Sequence, residues 1–157
     1  MTEIKQILSI VDALQREGVD LIIIGGIAVI LYGMPRTSED IDIIIKMNEQ
    51  NISLIRSALN KLYDDNEIKD ITFEELSNYA VLRYISPNND IIDLISNLGE
   101  AYDYNNIECN TVELEGIKFK VATPKALIQM KSITYKEKDK LDLLFLNELI
   151  KKINAPN

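Results

Sequence analysis

Histidine and tryptophan are absent from this sequence, and cysteine occurs once, at Cys109. Without histidine, neither imidazole activation of a nucleophile nor a histidine zinc cage can be built. One cysteine cannot close an internal disulfide, so a reducing cytoplasm is the simplest setting. Positive charge is also scarce. The chain has 17 Lys and Arg against 25 Asp and Glu, a net of -8. That balance argues against broad, sequence-independent nucleic-acid binding, where neutralising phosphates dominates affinity. The first residues, MTEIKQILSIVDALQREG, are amphipathic and acidic, and read as neither a signal peptide nor a membrane span. No internal repeat, linker or low-complexity stretch divides the chain. Residues 1–157 are therefore expected to form a single soluble domain that buries roughly 70% of its extended-chain surface.

The charge is unevenly spread. Residues 1–117 hold 8 basic and 21 acidic side chains, whereas residues 118–157 hold 9 and 4. A carboxylate-rich part facing a basic tail suits a metal on one wall and a polyphosphate on the other. Solvated lysines on tail helices would give the same counts.

Hydrophobic spacing predicts a mixed α/β (α+β) domain, a small mixed β-sheet bracketed by helices. Ile4, Ile7, Leu8, Val11 and Leu14 follow a helical period that Gly18 ends. Val19 to Ile24 is a short aliphatic strand, and a short helix follows from Gly26 to about Tyr32. Thr37 to Lys46 carries an acidic strand. Asn48 reads as the cap of a helix through Leu62, with Ile52, Ile55, Leu59 and Leu62 inward. Residues Tyr63 to Asp70 read as polar and irregular, and Thr72 to Glu75 as a capping box. Ala80–Ser86 and Ile91–Ser96 read as strands joined by the turn Pro87 to Asp90. Thr111–Leu114 and Ile117–Val121 form a further pair, followed by helices from Thr123-Pro124 and from about Lys138 to Ile153. The apolar run Leu141–Leu146 suits either core or interface.

The acidic strand carries the chemistry. Side chains two apart in a strand share a face, with Cα atoms roughly 6–7 Å apart. Asp40 and Asp42 should therefore project together while Ile41, Ile43 and Ile45 enter the core. Paired carboxylates can hold Mg²⁺ together with substrate phosphates, although the solvent face of a half-buried strand carries such pairs too. Asp93 supplies a third acid inside IIDLI, where a carboxylate must be compensated by hydrogen bonds, charge or metal. Asp90, in the preceding turn, is the rival for that place. If the Asp93 strand lies beside Leu21–Ile24 or Asp40–Ile45, three carboxylates converge. Gly25-Gly26, where strand hands over to helix, permits close backbone approach to a ligand or serves a structural turn.

Gly25-Gly26, Arg36-x-Ser38-x-Asp40-Ile41-Asp42 and Asp93 within an apolar strand together resemble the DNA-polymerase-β-type nucleotidyltransferase superfamily. Within it they resemble the minimal prokaryotic branch that includes the abortive-infection nucleotidyltransferases of type IV toxin–antitoxin systems. Gly116 to Val121, Pro124, Lys131 and Lys136-x-Lys138-Asp139-x-x-Asp142 are similar to that branch's C-terminal signature. The resemblance thus covers nearly the whole chain. Ser38 replaces the usual threonine, and Tyr135-Lys136 replace a glycine and an arginine whose bidentate fork lysine lacks.

The resemblance implies a magnesium-dependent enzyme that moves a nucleoside monophosphate from a nucleoside triphosphate, such as ATP, to an acceptor hydroxyl and releases pyrophosphate. Asp40 and Asp42 would ligate two Mg²⁺ ions, with Mn²⁺ as the alternative metal. Asp93 would ligate the first ion and help deprotonate the acceptor. Gly25, Gly26, Arg36 and Ser38 would form the nucleotide-binding loop, and Lys131 would neutralise the β/γ-phosphates. Arg36 equally reads as an ion pair with Glu39 or Asp40, and Lys138 as one with Asp142. The acceptor expected is a protein, a tRNA or other RNA end, or a small hydroxylated molecule. A toxin would also have an antitoxin partner. The competing expectation is a non-catalytic module that keeps the fold to bind nucleotide or a protein.

Overall fold

The computed structural model describes residues 4–134, 137 and 139–155. Helix α1 (Ile4–Arg16) buries Ile7, Leu8, Val11 and Leu14. Gly18, at φ +87, turns the chain out of it. All four aliphatics of β1 (Leu21–Ile24) are buried, as in strands covered on both faces. α2 (Gly25–Leu31) follows directly. β2 (Asp40–Ile45) then returns antiparallel to β1, with Ile24 opposite Asp42. Asn48 caps α3 (Glu49–Leu62), its side chain accepting from the Asn51 N–H at 2.7 Å. Thr72 caps α4 (Phe73–Asn78) by accepting from the Glu75 N–H at 3.1 Å.

β3 (Val81–Ile85) and β4 (Ile91–Ile95) form an antiparallel hairpin. A second hairpin, β7 (Cys109–Leu114) and β8 (Ile117–Ala122), turns on Glu115-Gly116. Both of those residues have positive φ, the signature of a tight primed turn. Between the hairpins lies a two-stranded ribbon of β5 (Asn97–Leu98) and β6 (Tyr102–Asp103). α5 (Pro124–Thr134) and α6 (Asp139–Asn154) pack on each other at the end of the chain. The main sheet runs β3-β4-β2-β1-β8-β7. β4 is parallel to β2 and β8 parallel to β1. This is the mixed α/β arrangement expected.

Two expectations change. Leu62 is exposed rather than inward, because α3 ends there and Tyr63 takes the buried place, donating its hydroxyl to Asp90 at 2.8 Å. Residues 63–70 are irregular only over the first three positions: Asn66–Asp70 make a 3₁₀ helix that buries Ile68. The β5–β6 ribbon was not foreseen. In the Leu141–Leu146 run, Leu146 is buried whereas Leu141 and Leu144 are exposed. Among the described residues, no helix is long and apolar enough to cross a membrane.

Candidate active site

The parallel register of β2 and β4 sets Asp42 directly beside Asp93. Directly paired residues share a face, and so do residues two apart, so Asp40 joins them. Carboxylate oxygens from the three lie within 4.8 Å of one another. The alternate residues Ile41, Ile43, Ile92 and Leu94 are at most 1% exposed and fill the core behind. The acidic face opens into a cleft of about 300 Å³. Gly25, Gly26, Arg36 and Ser38 line one wall, Lys131, Asp139 and Asp142 another, and Val81 and Arg83 the far rim.

Asp90 does not line this cleft. It is buried and accepts hydrogen bonds from Gln6 Nε2 at 2.7 Å, the Tyr63 hydroxyl at 2.8 Å and the Ser86 hydroxyl at 3.4 Å. Burial, and then this bond to Asp90, push the Tyr63 hydroxyl well above the ordinary tyrosine range. Of the two rivals, Asp93 is the one brought to Asp40 and Asp42.

Sequence reasoning missed Arg83. It stands opposite Asp93 in the β3–β4 ladder. Its Nε donates to Asp93 Oδ1 and its Nη2 to Asp93 Oδ2, both at 2.9 Å, and Nη2 also reaches Asp40 Oδ2 at 3.4 Å. This fork-on-fork contact is the strong form of a charged hydrogen bond. The one available signal was a cation at the centre of the strand AVLRYIS next to an acid-bearing strand.

The face splits the acids electrostatically. Burial, reinforced by the charges of Asp40 and Asp93, pushes the Asp42 carboxyl up to about 8. Burial also acts on Asp93, but the Arg83 fork, followed by hydrogen bonds with Asp40 and Asp42, outweighs it and holds that carboxyl below the usual aspartate value. The Arg83 guanidinium is raised in turn, chiefly by its bond to Asp93. One acid thus keeps its proton at neutral pH while its neighbour is firmly ionised.

The second wall is an ion network. Lys131 Nζ donates to Asp139 at 2.8 Å and lies 3.2 Å from Asp142. Arg36 Nη1 donates to the same Asp142, and Arg36 Nε donates to the Thr37 carbonyl. Arg36 therefore pairs with α6 rather than with Glu39 or Asp40. Asp142 points inward at 2% exposure to meet two cations, and Lys138, its expected partner, lies outside the described residues. Two buried acids face two cations here, which satisfies the rule that buried charge must be paired.

Gly25 has a neighbour and a backbone angle that require glycine, whereas Gly26 is only closely approached. Gly25 has φ +70, and a Cβ there would fall 2.3 Å from Asp42 Oδ2. A Cβ on Gly26 would meet Ser38 Oγ at 3.1 Å and Arg36 Nη2 at 3.2 Å. Ser38 in turn donates to the Asp40 carbonyl at 3.1 Å, fixing the entry to β2. Gly25→Ala is therefore expected to destabilise the protein by about 1–2 kcal/mol in chemical denaturation, from left-handed strain and a displaced Asp42. Gly116→Ala, at a similar φ of +80 but with nothing within 4 Å, isolates the backbone part of that cost.

The cluster suits a hard divalent cation. Its donors are all carboxylate oxygens, as Mg²⁺ and Mn²⁺ prefer. The Asp42 carboxyl is raised first by burial and then by the negative charges of Asp40 and Asp93, and a cation would offset the latter part.

Residues 3–155 match the family described as "Nucleotidyl transferase of unknown function (DUF2204)". No curated protein matches the chain. Among solved structures, the chain is similar to the lincosamide antibiotic adenylyltransferase LnuA with lincomycin bound, at TM-score 0.59 and 16% identity, over 93% of this chain and 97% of that one. ANT(2'')-Ia in complex with adenylyl-2''-tobramycin gives 0.58 and 14%, over 96% and 90%. An antigenic nucleotidyltransferase-like protein from Paracoccidioides brasiliensis gives 0.57 and 18%, over 96% and 77%. At these identities the likeness shows the fold.

Proposed function

Because the chain belongs to the DUF2204 family of nucleotidyl transferases, we propose that it moves a nucleoside monophosphate from a nucleoside triphosphate to an acceptor hydroxyl in a reaction dependent on Mg²⁺ or Mn²⁺. The observation that carries this reading is the gathering of Asp40, Asp42 and Asp93 on one open face of the sheet. Asp40 and Asp42 would hold two divalent ions, with Asp93 joining at the first. Such ions neutralise the triphosphate and steady the attacking and leaving oxygens.

The chain's own groups do the rest by positioning, as is general in phosphoryl transfer. Asp93, which Arg83 keeps ionised before nucleotide arrives, faces the acceptor hydroxyl and takes its proton as that oxygen bonds to the α-phosphorus. The bond from the α-phosphorus to the oxygen bridging the β-phosphate breaks, and pyrophosphate leaves. Lys131 and Arg36, held in the cleft wall by Asp139 and Asp142, turn a cationic side towards the phosphates. The glycine bend and Ser38 keep the wall close enough for backbone contact.

The acceptor we favour is a small hydroxylated molecule. The cleft is compact and the net charge is negative, which disfavours a polyanionic RNA. LnuA and ANT(2'')-Ia, whose structures hold lincomycin and adenylyl-2''-tobramycin, support the same choice. The test is pyrophosphate release from each of the four ribonucleoside triphosphates with Mg²⁺, with and without a pooled small-metabolite extract. Release above an EDTA control is expected and should rise with the extract. Nucleotide binding without release from any triphosphate would leave a binding module in place of the enzyme.

A further inference from the structure

Arg83 occupies the acidic face in a way that positioning alone does not require. Its fork engages both oxygens of Asp93, and its Nη2 also reaches Asp40. Two of the three carboxylates that would hold a divalent ion are therefore already served by one cation. Arg83 is also built to leave. It stands on β3, the edge strand of the sheet, and its side chain is 54% exposed, so another rotamer costs little packing.

From this arrangement we infer that Arg83 is a resident counter-ion of the metal site, opposing a lone divalent ion and yielding to one that arrives with a triphosphate. This inference rests on the acidic face being the metal site of the proposed reaction. A positive charge a few ångströms from a dication repels it, and here the dication must also displace the guanidinium from the two oxygens of Asp93 before it can bind. A triphosphate reverses the balance, because its negative oxygens offer the guanidinium an alternative fork partner. Arg83 then passes from carboxylate to phosphate as the metal enters. The site stays closed to free metal and opens to the metal–nucleotide complex, which is a coupling between two ligands.

The test is Mn²⁺ binding followed by the electron paramagnetic resonance of the free ion, with no turnover involved. Three proteins are compared: the parent, Arg83→Gln and Arg83→Lys. Arg83→Gln should bind Mn²⁺ alone about tenfold tighter or more, while Arg83→Lys, which keeps the charge without the fork, should stay within about threefold of the parent. Inorganic triphosphate, which needs no base recognition, should tighten Mn²⁺ binding to the parent more than to Arg83→Gln. Equal or weaker Mn²⁺ binding by Arg83→Gln would overturn the inference and make Arg83 a support for Asp93. Mn²⁺ binding by none of the three would overturn both this inference and the metal-dependent reading. Tighter binding by Arg83→Gln, in a parent that releases no pyrophosphate, would uphold the counter-ion and remove the transferase.

Discussion

Asp42→Asn should abolish pyrophosphate release, by about 10³-fold or more, while making the metal-free protein more stable at pH 8. The loss follows from removing a ligand from the face where charge develops in the transition state. The gain follows from linkage. Asp42 titrates near 8 in the folded chain against 3.8 ordinarily, so between those values the folded state holds a proton that the unfolded state has released. Its contribution to stability is complete below about pH 4 and is lost as pH rises through 8. Asparagine removes that slope. In EDTA the variant should unfold a few degrees above the parent at pH 8, with the gap closing towards pH 4; each kcal/mol is worth about 2–4 °C at this size. Saturating Mg²⁺ supplied together with inorganic triphosphate should stabilise the parent more than the variant. Thermal unfolding with and without Mg²⁺ and triphosphate, alongside a pyrophosphate assay, checks all three. Activity surviving in the variant would mean that the metal assignment is wrong.

Asp142→Ala should give the largest loss of stability in the cleft, about 3 kcal/mol. Breaking a buried ion pair by deleting one partner typically costs about 3–5 kcal/mol, because the remaining charge is stranded. The lower end applies here, since Lys131 keeps its bond to Asp139 and Arg36 is 27% exposed. The unfolding midpoint should fall by about 6–12 °C. Asp142→Asn should recover part of that loss by accepting one hydrogen bond. A variant as stable as the parent would mean that the α5–α6 wall is held by its apolar contacts alone.

The parts legible in the sequence were those whose meaning is local. The aliphatic runs of β1 and β4, the Asn48 and Thr72 caps and the Glu115-Gly116 turn were all written within a few residues. Asp93 was legible for a related reason: a carboxylate inside IIDLI demands an explanation wherever that strand lies. What escaped depends on pairing across distance. Arg83 in AVLRYIS is an ordinary surface cation until the β3–β4 register sets it opposite Asp93. The acids that the sequence offered Arg36 as an alternative to phosphate were its neighbours Glu39 and Asp40, whereas the acid it meets, Asp142, lies 106 residues away on α6. The diglycine could be read from the sequence as a ligand approach or as a structural turn, and neither reading shows the internal neighbours, Asp42 beside Gly25 and Ser38 and Arg36 beside Gly26.

Asp90 lies outside the cleft, yet its bonds help to hold the register that points the acid three residues later into it. A strand displaced by a single residue turns inside out, so a slipped β4 would sink Asp93 into the hydrocarbon interior and lift Ile92 or Leu94 towards the solvent. The bonds from Gln6 on α1 and from Tyr63 at the end of α3 nail the start of that strand to the helices behind it. The phase of the reacting surface is thus secured in part from its reverse side, and a substitution in that rear clasp can silence the front although no residue there is replaced.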